Sequence, residues 1–296
     1  MDEGPADLLA FMRSFRTSAD ESPLALLARH DALLNAGGPD VQVERGVHVG
    51  DLNGWRLTVD VHLPHASPSP VLLFLHGGAW VGGSPATHDR LAREFAARGF
   101  LTVSVDYPRA PRRRFPAGYD GCVRALGWVL DSAGHYGGDA GQLAVVGDSA
   151  GANLAAAVAV SAEGRAAPVR AAALLYGIYD FHTALPVLAP LLGGERADAQ
   201  QYVLAESLAG LAEDPRLSPL HAASQLPPCW LGVGTDDPLL AESEALASEL
   251  ARAGRPHELY LAAGAPHSFL QMPFHPSCGP GLDSAATFLH HHLDAA

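Results

Sequence analysis

The chain has 296 residues, 48% of them hydrophobic, which is enough to bury one substantial core. Its formal net charge of −13 argues against nucleic acid and anionic membrane surfaces as partners, because phosphate-binding surfaces need clustered Lys and Arg. The three widely spaced cysteines fit neither a disulfide framework nor a zinc site, and no apolar run approaches the ~20 residues that span a bilayer.

Short apolar runs alternate with helical patterns along the chain. Residues 55–63 alternate apolar and polar side chains, as a half-exposed strand near a sheet edge does. Residues 71–75 are continuously apolar, as a strand covered on both faces is. Ser84 and Pro85 suit the first turn of a helix, after which residues 100–105 return as a strand.

The same alternation continues to the C-terminus. Further strands are predicted at 143–146, 171–176, 230–233 and 257–261. Further helices are predicted at 119–130, at 153–160 and at 239–253. This order predicts a mostly parallel sheet with helices on both faces.

Two regions do not fit the alternation. Residues 1 to about 45 have helical patterns before the first strand, and residues 180 to about 219 are irregular to helical where the next strand should follow. We expect the two regions to form a cap over the carboxyl ends of the strands, because the ligand crevice of such sheets lies there.

The pentapeptide Gly147-Asp148-Ser149-Ala150-Gly151 lies between a predicted strand and a predicted helix. A G-x-S-x-G sequence in that context is typical of a nucleophile elbow, in which the serine occupies a sharp turn above the sheet. The two glycines let neighbouring backbone pass close by. An ordinary turn serine, the alternative, explains neither the context nor the partner residues downstream.

A serine hydroxyl is a weak nucleophile and needs a histidine base, which a carboxylate orients. In this architecture the acid and then the histidine follow the serine along the chain. Asp236 and Asp237 come directly after the strand at 230–233, and His267 follows the last strand. Asp180, at the end of an earlier strand, is a further candidate, so the order alone leaves the choice of acid open.

Backbone donors for a tetrahedral oxyanion are the third requirement. The segment His76-Gly77-Gly78-Ala79 directly follows the buried strand, where the oxyanion loop of lipases and esterases lies. Glycines there leave the amides accessible to a substrate. The amide of Ala150, next to the serine, would complete the hole.

Five motifs in this order resemble the bacterial hormone-sensitive-lipase-like carboxylesterases, over roughly residues 55–290. They are His76-Gly77-Gly78-Ala79-Trp80, residues 106–111 with 115–117, residues 147–151 with Asn153-Leu154, Asp237-Pro238-Leu239, and His267-Ser268-Phe269. The resemblance implies one α/β-hydrolase domain over residues 1–296, with a helical cap from about 1–45 and about 180–219. It also implies hydrolysis of carboxylic esters through an acyl-serine, with no cofactor and no metal.

Carried over by position, the resemblance implies Ser149 as the nucleophile, Asp237 as the orienting acid and His267 as the base. The implied oxyanion donors are the amides of Gly77, Gly78, Ala79 and Ala150. The family usually has a third glycine where this chain has Ala79, and we expect the extra methyl group to narrow the pocket.

The predicted cap is mostly apolar, which favours a small ester with a short to medium acyl or an aromatic group as the substrate. Its apolar residues include Leu185, Val187, Leu188, Leu191 and Leu192. An acyl transferase, an amidase or a formamidase would use the same triad. A non-catalytic ligand-binding protein is a further alternative, although we would expect it to lack a triad member. We expect a cytoplasmic protein because no signal-peptide pattern is present, and relatives of this kind are often homodimers.

Overall fold

Eight strands form one sheet in the part of the chain that the computed structural model describes, which is residues 5–16, 23–167, 169–188, 202, 203, 207 and 209–294. The strands are β1 (Gln42–Leu52), β2 (Trp55–Leu63), β3 (Ser69–Leu75), β4 (Leu101–Asp106), β5 (Gly138–Asp148), β6 (Val169–Leu175), β7 (Cys229–Gly234) and β8 (His257–Ala262). Their spatial order is β1-β2-β4-β3-β5-β6-β7-β8. β2 is antiparallel to both of its neighbours, and every other pairing is parallel.

Helices connect most of these strands. They are α1 (Ala6–Ser14), α2 (Pro23–Leu34), α3 (Asp89–Ala97), α4 (Ala117–Ser132), α5 (Ala150–Val160), α6 (Ala162–Ala166), α7 (Phe181–Leu188), α8 (Leu240–Arg252) and α9 (Cys278–Asp294). A 3₁₀ turn at Ala86–His88 leads into α3, and the Ser84 hydroxyl accepts a hydrogen bond from the Thr87 amide at 3.2 Å. None of the described helices is long and apolar enough to cross a membrane.

Side chains on the two faces of the sheet belong to two separate apolar clusters. On strand β3, which is buried from Val71 to Leu75, Leu73 and Leu75 join the cluster that contains α4 and α5, whereas Leu72 and Phe74 join the cluster that contains α3 and α9. Successive residues of a strand point to opposite faces, so a continuously apolar strand is covered on both sides. The predicted mostly parallel sheet with helices on both faces is confirmed.

The N-terminal edge of the sheet differs from the prediction. β1 begins at Gln42, so the helical region ends before residue 45, and β1 is an edge strand that the sequence does not predict. β2 is the second strand, near the sheet edge as predicted. The pairing of β1 with β2 shifts register after Glu44 and after His48. These irregularities interrupt the alternation of apolar and polar residues, which is the pattern that predicts a strand.

Candidate active site

The turn at Ser149 has the strained geometry of a nucleophile elbow. β5 ends at Asp148 and α5 begins at Ala150, which leaves Ser149 alone between them with φ 54° and ψ −120°. Non-glycine residues rarely adopt a positive φ, and such strain is found at functional sites. The Ser149 amide donates to the carbonyl oxygen of Leu175 at the end of β6, at 2.8 Å, which holds the turn against the neighbouring strand.

Glycine at position 151 is required by close backbone contact. A Cβ atom at Gly151 would overlap the carbonyl oxygen of Leu75, which belongs to β3 and cannot move without shifting the sheet. We expect Gly151→Ala to lower the free energy of unfolding by about 1–3 kcal/mol. The matched control is Gly127→Ala in α4, where a Cβ atom would meet no atom within 4 Å. That change should raise stability by about 0.5–1 kcal/mol, because alanine is the better helix former.

Urea unfolding of the two glycine variants and the wild type measures both effects. The two midpoints should move in opposite directions, with Gly151→Ala unfolding at lower urea. Equal midpoints for Gly151→Ala and the wild type would show that the turn tolerates a side chain.

Three side chains meet above the carboxyl ends of the strands in one hydrogen-bonded chain. His267 Nε2 lies 3.0 Å from Ser149 Oγ, and His267 Nδ1 lies 2.9 Å from Asp237 Oδ2 and 3.1 Å from Oδ1. Asp237 and His267 are only 5% and 4% exposed. In this arrangement the carboxylate accepts the Nδ1 proton, so the Nε2 lone pair is directed at the serine hydroxyl. The geometry therefore allows a proton to pass from Ser149 to His267.

The structure separates the three candidate carboxylates. Asp237 contacts the histidine, and the Leu239 amide donates to its Oδ1 at 2.8 Å. Asp236 is half-exposed and pairs with Arg13 at 3.2 Å. Asp180 caps α7, because its Oδ1 accepts hydrogen bonds from the His182 and Thr183 amides. Only Asp237 among these three is in position to orient His267.

The N-terminal helix α1 contacts the histidine directly, and no sequence motif predicts this contact. The His267 amide donates to the carbonyl oxygen of Met12 at 3.1 Å. The Phe15 ring packs edge-on against the imidazole with 4.8 Å between ring centroids, and Tyr176 packs at 5.0 Å. These contacts restrict the rotation of the imidazole ring.

The loop after β3 presents backbone amides beside the elbow. Gly78 has φ 121° and Ala79 has φ 51°, and the Gly82 amide donates to the Gly78 carbonyl oxygen at 2.8 Å. The Gly77 amide instead donates to Asp148 Oδ1 at 2.8 Å. Since that amide is already engaged, we do not retain Gly77 among the oxyanion donors implied by the resemblance, and Gly78, Ala79 and Ala150 remain. Ala150 is the first residue of α5, where amides have no intrahelical partner.

Buried aromatic side chains hold this loop from below. The Tyr107 hydroxyl donates to the His76 carbonyl oxygen at 2.6 Å, and the two rings stack at 4.2 Å. Complete burial lowers the pKa of His76 well below its usual range, so the ring is neutral at pH 7. Trp80 is 1% exposed and stacks on Tyr202, so it packs beneath the loop and is not accessible to a ligand.

A cleft of about 280 Å³ opens above Ser149 and His267. Its walls are mostly apolar and come from α1, α2, the oxyanion loop, the 3₁₀ turn that ends at His88, the segment after β6 and the loop after β8. They include Phe11, Phe15, Leu27, Leu34, Ile178 and Leu188. Within the described residues, no group of three or more His, Cys, Asp or Glu side chains is arranged to hold a metal ion.

The fold is an α/β fold, and its site has the geometry of a serine hydrolase. A Ser–His–Asp chain lies at the carboxyl ends of a mostly parallel sheet, with backbone amides beside the serine. The chain belongs to the alpha/beta hydrolase fold family, which it matches over residues 72–271. This match, together with similarity to bacterial esterases, confirms the resemblance to hormone-sensitive-lipase-like carboxylesterases.

The chain is similar to several proteins named as esterases. It is 34% identical over 210 residues to an ethyl acetate hydrolase of Pseudomonas putida and 37% identical over 204 residues to a carboxylesterase of Mycobacterium tuberculosis. These alignments cover 68% and 64% of this chain but only 66% and 63% of the relatives' own lengths. A hyperthermophilic esterase of Pyrobaculum calidifontis superposes with a TM-score of 0.78 and 25% identity, over 98% of this chain and 99% of that chain.

Proposed function

We propose that the chain is a carboxylesterase that hydrolyses small-molecule esters through an acyl-enzyme on Ser149. The observation that carries this proposal is the position of His267, which bridges Ser149 Oγ and the Asp237 carboxylate at 3.0 and 2.9 Å. The names of the relatives support it, since an ethyl acetate hydrolase and a carboxylesterase are both ester-cleaving enzymes.

Acylation begins when Ser149 Oγ attacks the ester carbonyl carbon and His267 Nε2 takes the hydroxyl proton. The carbonyl oxygen becomes an oxyanion, which we assign to the amides of Gly78, Ala79 and Ala150. One such donor typically contributes about 2.7–4 kcal/mol of transition-state stabilisation. The bond between the former carbonyl carbon and the alkoxide oxygen then breaks, and His267 donates its proton to that oxygen. The alcohol departs, and the acyl group remains bound to Ser149.

Deacylation repeats these steps with water as the nucleophile. His267 takes a proton from the water as its oxygen attacks the acyl carbon, and the same amides hold the second oxyanion. Collapse of this intermediate breaks the bond to Ser149 Oγ, and the proton on His267 returns to the serine. The carboxylic acid leaves, and the Asp237 carboxylate stabilises the imidazolium in both halves of the reaction.

We further propose that the regions before β1 and from 180 to about 219 form a helical cap on one α/β-hydrolase domain. α1 and α2 contribute apolar residues to the cleft, and Leu188 of α7 does so from the second region. The predicted cap residues Leu191 and Leu192 lie outside the described residues. The apolar walls favour a short to medium acyl or an aromatic ester, because these groups bury apolar surface without leaving polar atoms unpaired.

A substrate panel tests the proposed reaction. We expect p-nitrophenyl esters from acetate to octanoate to be hydrolysed, with kcat/KM falling at the long end, and the matching anilides to be cleaved much more slowly. Products are then analysed with a primary alcohol or amine added as acceptor. Acyl transfer that outruns hydrolysis, or anilide cleavage faster than ester cleavage, would contradict a carboxylesterase.

The cytoplasmic location and the homodimer stay predictions.

A further inference from the structure

Asp148 connects the two backbone segments that flank the proposed oxyanion hole. It directly precedes Ser149, it is 1% exposed, and its Oδ1 accepts the Gly77 amide proton at 2.8 Å. A buried carboxylate is costly unless its oxygens are hydrogen-bonded. Through this bond the position of Gly77 depends on the Asp148 side chain, and the amides of Gly78 and Ala79 follow Gly77 directly in the chain.

The second oxygen of Asp148 lies in ion-pair contact with a histidine that has no role in the reaction described above. His88 Nε2 lies 3.3 Å from Asp148 Oδ2, and His88 Nδ1 lies 2.9 Å from the Thr87 hydroxyl. His88 is 7% exposed, and its ring lies 5.5 Å from the ring of His76. Both ring nitrogens therefore have partners, one of which is the buried carboxylate.

The backbone on each side of His88 is fixed by one side chain at the end of α2. Asn35 Nδ2 donates to the Thr87 carbonyl oxygen at 3.0 Å, and Asn35 Oδ1 accepts from the Arg90 amide at 3.3 Å. Hydrogen bonds thus run from Asn35 to the 3₁₀ turn and from Asp148 to the oxyanion loop, and the 3.3 Å contact between His88 Nε2 and Asp148 Oδ2 joins the two.

We propose that His88 is a positioning residue for the oxyanion hole, acting through Asp148 on the Gly77 amide. This inference rests on the proposed ester hydrolysis and on the assignment of the hole to Gly78, Ala79 and Ala150. The hole stabilises the transition state only while its amides point to the place where negative charge develops. Without the imidazole, one oxygen of Asp148 loses its partner inside the protein, and the carboxylate no longer has a fixed orientation.

His88→Ala is expected to lower kcat for an oxygen ester by roughly 10- to 100-fold, with KM changed by less than about threefold, because a displaced donor affects the transition state more than substrate binding. His88→Gln keeps an N–H donor that can reach Asp148 and should restore kcat to within about threefold of the wild type.

His62 provides a matched control for burial and charge. It is a fully buried histidine whose Nε2 lies 3.1 Å from Asp89 Oδ1, on β2 rather than beside the elbow. His62→Ala should therefore lower stability much as His88→Ala does. Its kcat in the folded protein should remain within about threefold of the wild type.

The deciding measurement compares an ester with its thionoester, in which sulfur replaces the carbonyl oxygen. Sulfur accepts hydrogen bonds weakly, so the thionoester gains little from the oxyanion hole. The ratio of kcat/KM for ester over thionoester should fall roughly tenfold or more in His88→Ala and stay unchanged in His62→Ala and His88→Gln. Equal losses on both substrates, or no loss on the ester, would overturn the positioning role. A wild type that turns over neither substrate would overturn the proposed function, and this inference with it.

Discussion

Replacing Ser149 with alanine is expected to lower kcat for p-nitrophenyl ester hydrolysis by roughly 10⁴- to 10⁶-fold, because no acyl-enzyme can form. The hydroxyl is the only group that the substitution removes. The backbone that holds the elbow, including the bond from the Ser149 amide to Leu175, does not depend on it. The measurement is steady-state kinetics on p-nitrophenyl acetate, together with a urea unfolding curve to show that the variant is folded.

Ser161 supplies the control, since it lies at the other end of α5. Its hydroxyl accepts the Gly164 amide proton at 2.8 Å and so caps α6. Ser161→Ala should cost about 1 kcal/mol of stability through the lost cap and leave kcat within about threefold of the wild type. If Ser149→Ala retained the activity of Ser161→Ala, Ser149 would not be the nucleophile.

Replacing Asp237 with asparagine is expected to lower kcat by roughly 10⁴-fold, the second largest effect of a single substitution in this account. The carboxylate accepts the Nδ1 proton of His267 at 2.9 Å, which leaves Nε2 free to accept the serine proton. An asparagine amide is nearly isosteric but can donate to Nδ1, which favours the tautomer with a proton on Nε2. That tautomer cannot act as the base, although the geometry of the site is unchanged.

The two other candidate carboxylates, Asp236 and Asp180, serve as controls for this test. Asp236→Asn removes an exposed ion pair with Arg13, and Asp180→Asn weakens the cap of α7. Both variants should keep kcat within about threefold of the wild type. Exposed ion pairs and single caps contribute about 1 kcal/mol to stability, and neither of these two carboxylates determines the tautomer of His267. A large loss of kcat in either variant, with Asp237→Asn active, would place the orienting acid elsewhere.

Much of the fold could be predicted because each buried strand is a short apolar run between helical patterns. β3 and β7 are apolar over nearly their whole length, so their burial on both faces is visible in the sequence. The sequence does not predict β1, because the pairing of β1 contains two register shifts and all of its residues are exposed or half-buried. β5 begins at Gly138, earlier than the predicted strand at 143–146, because Asp139 and Gly141 interrupt the apolar pattern of its first residues.

The three residues of the triad could be predicted, because each of them belongs to a local sequence motif. Ser149, Asp237 and His267 each follow a strand, and parallel strands bring their carboxyl ends to one edge of the sheet. The contacts of Gly77 and His88 with Asp148 could not be predicted, because they join residues 60 or more positions apart through single side-chain atoms. Two signals were available, namely the polar Asp148 inside a buried elbow and the polar pair Thr87-His88 at the start of a helix.

Site-mapped labelling shows whether Ser149 forms the covalent intermediate. The folded wild type is incubated with a fluorophosphonate, and the modified peptide is identified by mass spectrometry. We predict one adduct per chain, located on Ser149, and loss of ester hydrolysis in proportion to its formation. Labelling at Ser268 in the same cleft, or full ester hydrolysis by protein that is labelled at Ser149, would contradict the account.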